Sequence, residues 1–179
     1  EDDCLEVMAF DHVCGKFADF RRSGENFLSS DVEVMDCDND HSDDPADWIY
    51  PSDLERLIGK DVAFFAVPSR NNGKSKDGKA ARPRFHVYFP HDPITDSETC
   101  AALKFPFFDS HALDAARFIF GNPTEEILWH EGEITIDCIV KPQEKSIPQG
   151  QRNSTMSHFA GRVVKRYGAT EKAHQIFME

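Results

Sequence analysis

The chain has 179 residues, 40% of them hydrophobic and 15 of them Phe, which is enough apolar material for one cored domain and the start of another. That composition excludes a disordered tail, and the lack of any apolar run near ~18 residues excludes a membrane-spanning helix. The net charge is −12, and residues 1–60 alone carry 17 acids against 5 bases, so the entire excess lies in the first third; a uniformly basic, nucleic-acid-coating surface is excluded. Five scattered cysteines (Cys4, Cys14, Cys37, Cys100, Cys138) with no C-x-x-C argue against a zinc ribbon or a disulfide framework, and reduced thiols in a cytoplasmic protein are expected. No secretory signal or initiator Met opens the chain, which reads as a fragment.

In chain order, Phe10, Val13, Phe17 and Phe20 recur at roughly helical spacing and predict a helix over 10–28. A strand follows at 32–36. It runs into Asp36-Cys37-Asp38-Asn39-Asp40, and residues 39–50 read as a polar loop. Ser52-x-x-Glu55 after Pro51 predicts a capping box on a short helix closed by Gly59. Val62 to Val67 is an apolar run of strand length. The stretch 69–81 is rich in Gly, Lys, Asn and Ser, and 85–89 is a second strand ended by Pro90. Together these make a β-hairpin with a long tip. Between Ser69 and His86 stand Arg70, Lys74, Lys76, Lys79, Arg82 and Arg84 against Asp77 alone.

Further on, a helix is predicted over 97–105, and a second hairpin from 127–130 and 134–140 around Glu131-Gly132. Residues 141–150 read as a linker. Met156, Phe159, Ala160, Val163, Val164 and Tyr167 then line one face of an amphipathic helix closed by Gly168, and Thr170 restarts a helix. An α+β body over 1–145 and a helical continuation over 146–179 are expected.

Asp36 and Asp38 are two residues apart at a strand end, so both side chains leave the same face. Like charges held that close repel unless a cation lies between them. Arg84-Phe85-His86 opens a strand behind the basic loop, and Phe108-Asp109 is followed by Arg117 in Asp114-Ala115-Ala116-Arg117-Phe118. Phosphoryl and nucleotidyl transfer use such groups: carboxylates hold two divalent ions that clamp the attacking and leaving oxygens, while imidazole and guanidinium groups take up charge on the triphosphate. Asp114 is an alternative third carboxylate to Asp109, and Arg117 has a plain alternative role as a helix ion pair with Asp114. Trp48 and Trp129 read as packing residues.

In order and spacing these motifs resemble the archaeo-eukaryotic primase superfamily, with its h-h-h-D-h-D, s-x-H and h-D signatures. More narrowly they are similar to the bifunctional primase–polymerases of phages, plasmids and integrative elements. The phrases that carry the resemblance are Val34-Met35-Asp36-Cys37-Asp38, Arg82-Pro83-Arg84-Phe85-His86-Val87-Tyr88-Phe89 and Asp109 followed by Asp114-Ala115-Ala116-Arg117-Phe118. The tail from Ile147 to Asn153 and the helix after it resemble the start of the helical domain that often follows such cores.

The resemblance implies a primase catalytic core with an RRM-like mixed or antiparallel sheet. It makes Asp36, Asp38 and Asp109 catalytic, metal-binding carboxylates for two Mg²⁺ or Mn²⁺ ions. It makes His86, Arg84 and Arg117 nucleotide contacts, with Arg84 departing from the small residue of s-x-H. The loop cations Arg70, Lys74, Lys76 and Lys79 are expected to meet the template. The implied partners are single-stranded DNA template and primer, NTPs or dNTPs, and a replicative helicase, with no membrane. The rival readings are a metal-dependent nuclease and a non-catalytic replication-origin or nucleotide-binding module.

Overall fold

Apolar residues alternate with residues of the opposite face along the strands of this chain, and the result is a sheet buried on both sides over its central strands. The structure, a computed structural model, describes residues 2–100, 107–109, 114–124 and 126–136, together with Thr170. Five strands form one sheet in the order β1-β2-β4-β3-β5: β1 (Gly15–Phe17), β2 (Phe27–Cys37), β3 (Phe64–Pro68), β4 (Phe85–Ile94) and β5 (Leu128–His130). All four neighbouring pairs are antiparallel. Among the described residues, three short α-helices accompany them, α1 (Asp2–Met8), α2 (Leu54–Ile58) and α3 (Ser97–Cys100), so the class is α+β as expected. Among the described residues no helix is long and apolar enough to cross a membrane. The chain divides into two compact units, Glu1–Pro142 and Gln143–Glu179.

One sheet face carries Met35 and Cys37 of β2, Phe64 and Ala66 of β3, and Phe85, Val87 and Phe89 of β4, covered by Leu54 and Ile58 of α2, Phe108 and Ile136. Each such large apolar side chain contributes about 1.5–3 kcal/mol on burial. The other face carries Val34, Val67 and Tyr88, covered by Met8 at the end of α1 and by Ile119. Because the period is two, Asp36 follows Val34 on this second face and His86 precedes Tyr88 there. The acid and the imidazole therefore share a face with a smaller, less continuous core.

Several expectations are corrected. No helix spans 10–28: Gly15–Phe17 is β1, and single 3₁₀ turns occupy Ala18–Phe20 and Gly24–Asn26. Phe10 and Phe20 are exposed, so their spacing does not mark a buried stripe, while Phe17 packs edge-on to Phe27 with centroids 5.9 Å apart. Gly15 and Gly24 each lower helix propensity by about 1 kcal/mol, and pairing with β2 wins. Strand β2 starts at Phe27 rather than 32. Strand β4 continues through Pro90, which pairs with Val32 beside a register shift, a position where the missing N–H is tolerated.

The helix cap also differs. Asp53, not Glu55, closes the first turn: its carboxylate accepts from the Tyr50 N–H at 2.9 Å, and its own N–H donates to the Tyr50 carbonyl at 2.9 Å. Gly59 ends α2 as expected, at φ 122°, with its N–H on the Glu55 carbonyl.

Of the hairpin expected over 127–140 only residues 127–136 are described, and there the pairing differs. Strand β5 pairs with β3, but Ile134 bridges Val62 in parallel, donating its N–H to the Asp61 carbonyl and accepting from the Ala63 N–H, each at 3.0 Å. Gly132 makes that crossing possible, since a Cβ there would lie 2.3 Å from the Val62 carbonyl carbon. Of the helix over 97–105 only Ser97–Cys100 is described, and the linker over 141–150 and the helix over 156–167 lie outside the described residues.

Cys14 and Cys37 are free thiols, and burial pushes both up to about 12. His41 Nε2 donates to the Asp47 carbonyl (3.0 Å), engaged apart from Cys37, which faces the first core. At pH 8, thiol-specific alkylation of the folded protein is expected to leave the Cys14 and Cys37 peptides unmodified until denaturant is added. Rapid modification in peptide mass maps of the native protein would contradict this packing.

Candidate active site

Strands β2 and β4 are the second and third strands of the sheet, and their register sets Asp36 directly opposite His86. His86 Nε2 lies 3.3 Å from Asp36 Oδ1, yet that oxygen is buried and accepts no hydrogen bond from the protein. Burial holds the His86 ring below the ordinary imidazole range; the negative charge of Asp36 opposes that shift and Arg117 adds to it. The imidazole is therefore neutral at neutral pH. The second carboxylate oxygen, Asp36 Oδ2, pairs with the Arg117 guanidinium. Arg117 is thus bonded to a residue 81 positions away, which replaces the local ion pair with Asp114.

The two alternatives for the third carboxylate occupy different places. The Asp109 N–H donates to the Asp36 carbonyl at 2.9 Å, so the chain returns beside the end of β2 at this residue. Asp114 instead shapes the turn that presents Arg117: its carboxylate accepts from the Ala116 N–H at 3.0 Å and its carbonyl accepts from the Arg117 N–H at 2.8 Å.

Beyond β2 the chain turns at Asn39, a non-glycine residue at φ 53°, a conformation in which Asn is enriched. Its amide fixes the turn, donating to the carbonyls of Ile49 (2.8 Å) and Pro83 (2.9 Å) and accepting from the Ile49 N–H (2.7 Å). Asp38 sits just before this turn. Burial raises its pKa, and Asp36 raises it further; Lys76 at 3.8 Å and Arg84 at 4.0 Å oppose them.

The basic loop is a charge-matched cover over the acidic strand end. Arg70 pairs with Asp11 at 3.0 Å and donates to the Gly121 carbonyl; Lys74 donates to the Arg70 carbonyl at 2.8 Å; Lys79 pairs with Asp40 at 3.2 Å. Arg84 is only 1% exposed, with Nη1 on the Lys74 carbonyl at 2.7 Å and Nη2 3.5 Å from Asp40. Its Nε, 4.0 Å from Asp38, and that Nη2 are buried and make no hydrogen bond within the protein. Arg84 is thus a buried residue, whereas the side chains of Arg70, Lys76 and Lys79 pair with acids while remaining 52%, 41% and 37% exposed.

A cavity of about 350 Å³ opens over this arrangement, in the size range of small-molecule sites. Asp36, Asp38, His86 and Arg117 line it together with Arg70 and Lys76, and Phe118 and Phe120 form a further part of the wall. Phe118 and Phe120 went unnoticed as site residues in the sequence. The signal was there: two Phe alternate with Ile119, whose side chain enters the core, so they face away from it.

Among the described residues no three His, Cys, Asp or Glu side chains are gathered closely enough to hold a metal ion as they stand. Two observations nonetheless fit a divalent cation at Asp36 and Asp38. A buried carboxylate oxygen lacks a donor, and the paired acids raise the cost of ionising Asp38. Compared with family models, curated proteins and solved structures, the chain matches none.

Proposed function

We propose that this chain is a metal-dependent nucleotidyltransferase that makes or extends primers on single-stranded DNA, built on a core of the archaeo-eukaryotic primase type with an RRM-like sheet. One observation carries the reading: His86 and Arg117, from two other segments, meet at the Asp36 carboxylate, and the Asp109 N–H bonds the backbone carbonyl of the same residue. Charge pairing for stability alone has no need of a neutral imidazole opposite a buried acid.

Asp36 and Asp38, with Asp109 as the third candidate, are the residues that would hold Mg²⁺ or Mn²⁺. When bound, such ions lower the pKa of the attacking hydroxyl and neutralise the triphosphate and the leaving pyrophosphate. Arg117 brings a guanidinium to the cavity wall, where it orients an anionic substrate and takes up charge as the leaving group departs. His86, being neutral, donates one N–H to a phosphate oxygen without giving up a proton. Asn39 holds the turn after Asp38 in position, so the strand end that carries the carboxylate pair is preorganised. The partners of this reaction are a template strand, NTPs or dNTPs and a replicative helicase, in the cytoplasm of a cell carrying a mobile element.

Incubating the protein with a 5′-labelled primer on a single-stranded template, dNTPs and Mn²⁺ is expected to lengthen the primer. Shortening would select a metal-dependent nuclease, and no change combined with no metal-dependent nucleotide binding would select a non-catalytic module.

A further inference from the structure

Two phenylalanines on the wall of a highly charged cavity need an explanation that the phosphate chemistry does not supply. Phe118 and Phe120 are 39% and 55% exposed, although both belong to a segment anchored by buried Ile119. Their rings meet edge-to-face, with centroids 5.2 Å apart at 83°. Each is held by a guanidinium: Arg22 lies 5.4 Å from the Phe118 centroid and Arg70 lies 4.8 Å from that of Phe120. Those cations are themselves fixed, Arg22 on the Ala116 carbonyl at 2.7 Å and Arg70 on Asp11 and the Gly121 carbonyl.

The backbone is pinned on either side. Ile119 exchanges both hydrogen bonds with His12, at 2.9 and 3.0 Å. Gly121 passes so close to Phe10 that a Cβ would lie 2.4 Å from its carbonyl carbon. The two rings are therefore rigid, solvent-facing and preorganised, the properties of a stacking platform rather than of a frayed surface.

The charges fix what kind of molecule this wall suits. The cavity puts apolar ring surface beside Arg117, Lys76 and the Asp36–Asp38 pair. A ligand that satisfies both parts has a flat aromatic group at one end and a metal-bound polyanion at the other. We propose that Phe118 and Phe120 form the nucleobase platform for the incoming nucleoside triphosphate. This deepens the nucleotidyltransferase reading and rests on it: the phosphates go to the carboxylate and Arg117 side, the base to the phenylalanines. Every base has a π-face, so the platform takes all four nucleotides and leaves base choice to the template.

The test is calorimetry on the full chain with Mn²⁺, comparing dATP with inorganic tripolyphosphate, which carries the phosphates but no base. The wild type is expected to bind dATP the more tightly. Phe118→Ala with Phe120→Ala is expected to weaken dATP on the order of tenfold while leaving tripolyphosphate unchanged. Phe118→Leu with Phe120→Leu keeps apolar bulk should the alanine variant fold poorly, and is expected to show the same selective loss; Phe118→Tyr with Phe120→Tyr, which keeps both rings, is expected to bind dATP as the wild type does. If the wild type binds both ligands equally, or the variants bind dATP as the wild type does, the platform is overturned and the nucleotidyltransferase reading stands. If the variants lose affinity only for single-stranded DNA, the rings serve the template and the proposal fails. If the wild type binds neither ligand, the underlying reading fails first.

Discussion

Replacing Asp36 by Asn is expected to lower metal-dependent nucleotide incorporation by at least about a thousandfold, with the melting temperature of the metal-free protein little changed. The activity loss follows because Asp36 stands at the centre of the constellation: Arg117 pairs with one oxygen and His86 faces the other. Losing a single preorganised electrostatic group at a transfer site costs roughly 10²–10³-fold, and the loss of a ligand carboxylate adds the ion's own contribution.

Asp38→Asn separates catalysis from folding in a second way. Asp38 is destabilised as an anion by burial and by Asp36, and its cations lie at 3.8 and 4.0 Å, long for a strong ion pair. Without metal, Asp38→Asn is therefore expected to melt no lower than the wild type. With millimolar Mn²⁺ the wild type gains stability by mass action, and the variant does not. Thermal melts with and without Mn²⁺ check this directly, and equal metal-induced shifts in both proteins would show that Asp38 is no ligand.

The largest stability effect is expected at Arg82. Its side chain is fully buried and binds four neighbours: the carbonyls of Asn39 (2.9 Å), Ser42 (3.1 Å) and Ala80 (3.2 Å), and the Asp43 carboxylate (2.7 Å). Its guanidinium also lies 5.3 Å from the Trp48 ring centroid. Arg82→Met keeps the volume but removes four hydrogen bonds, one of them to the buried Asn39 carbonyl and two to the partly buried Ser42 and Ala80 carbonyls, at a cost of about 3–4 kcal/mol. That corresponds to a fall in Tm of roughly 10 °C. Arg82→Lys is expected to rescue little, since a single ammonium does not reproduce a planar fork. The exposed pair Arg56–Asp53, at 3.5 Å, provides the control: Arg56→Met is expected to cost under about 0.5 kcal/mol. Because Arg82 ties down the turn after Asp38, the same substitution is expected to weaken Mn²⁺ binding as well.

Some of this was legible along the chain. The run from Val32 to Asp38 shows a strand that ends in same-face acids, because the period of two depends on the backbone alone. The apolar runs at 62–67 and 85–89 around a Gly- and Lys-rich tip announce a hairpin, since strand and turn chemistry are local. Gly59 marks a helix end for the same reason. The helix expected over 10–28 fails where local signals compete: Phe10, Val13, Phe17 and Phe20 fit a helical period, yet pairing of β1 with β2 outweighs propensity. In the described part of the hairpin expected from Ile127, residues 127–136, Gly132 instead serves a crossing beside the residues just before β3, which no local pattern reports.

For the site, residue types and order were in the sequence: two acids, a histidine, a later acid and an arginine. What only the tertiary structure decided is which of them touch. Register places His86 opposite Asp36, a long-range ion pair takes Arg117 away from Asp114, and the backbone of Asp109 docks on Asp36. The loop cations, counted as a basic patch in one dimension, pair with Asp11, Asp38 and Asp40 while staying partly exposed. The physical reason is that charge and polarity belong to each residue by itself, whereas burial, pairing and the energy of an unpaired oxygen exist only once distant segments pack together.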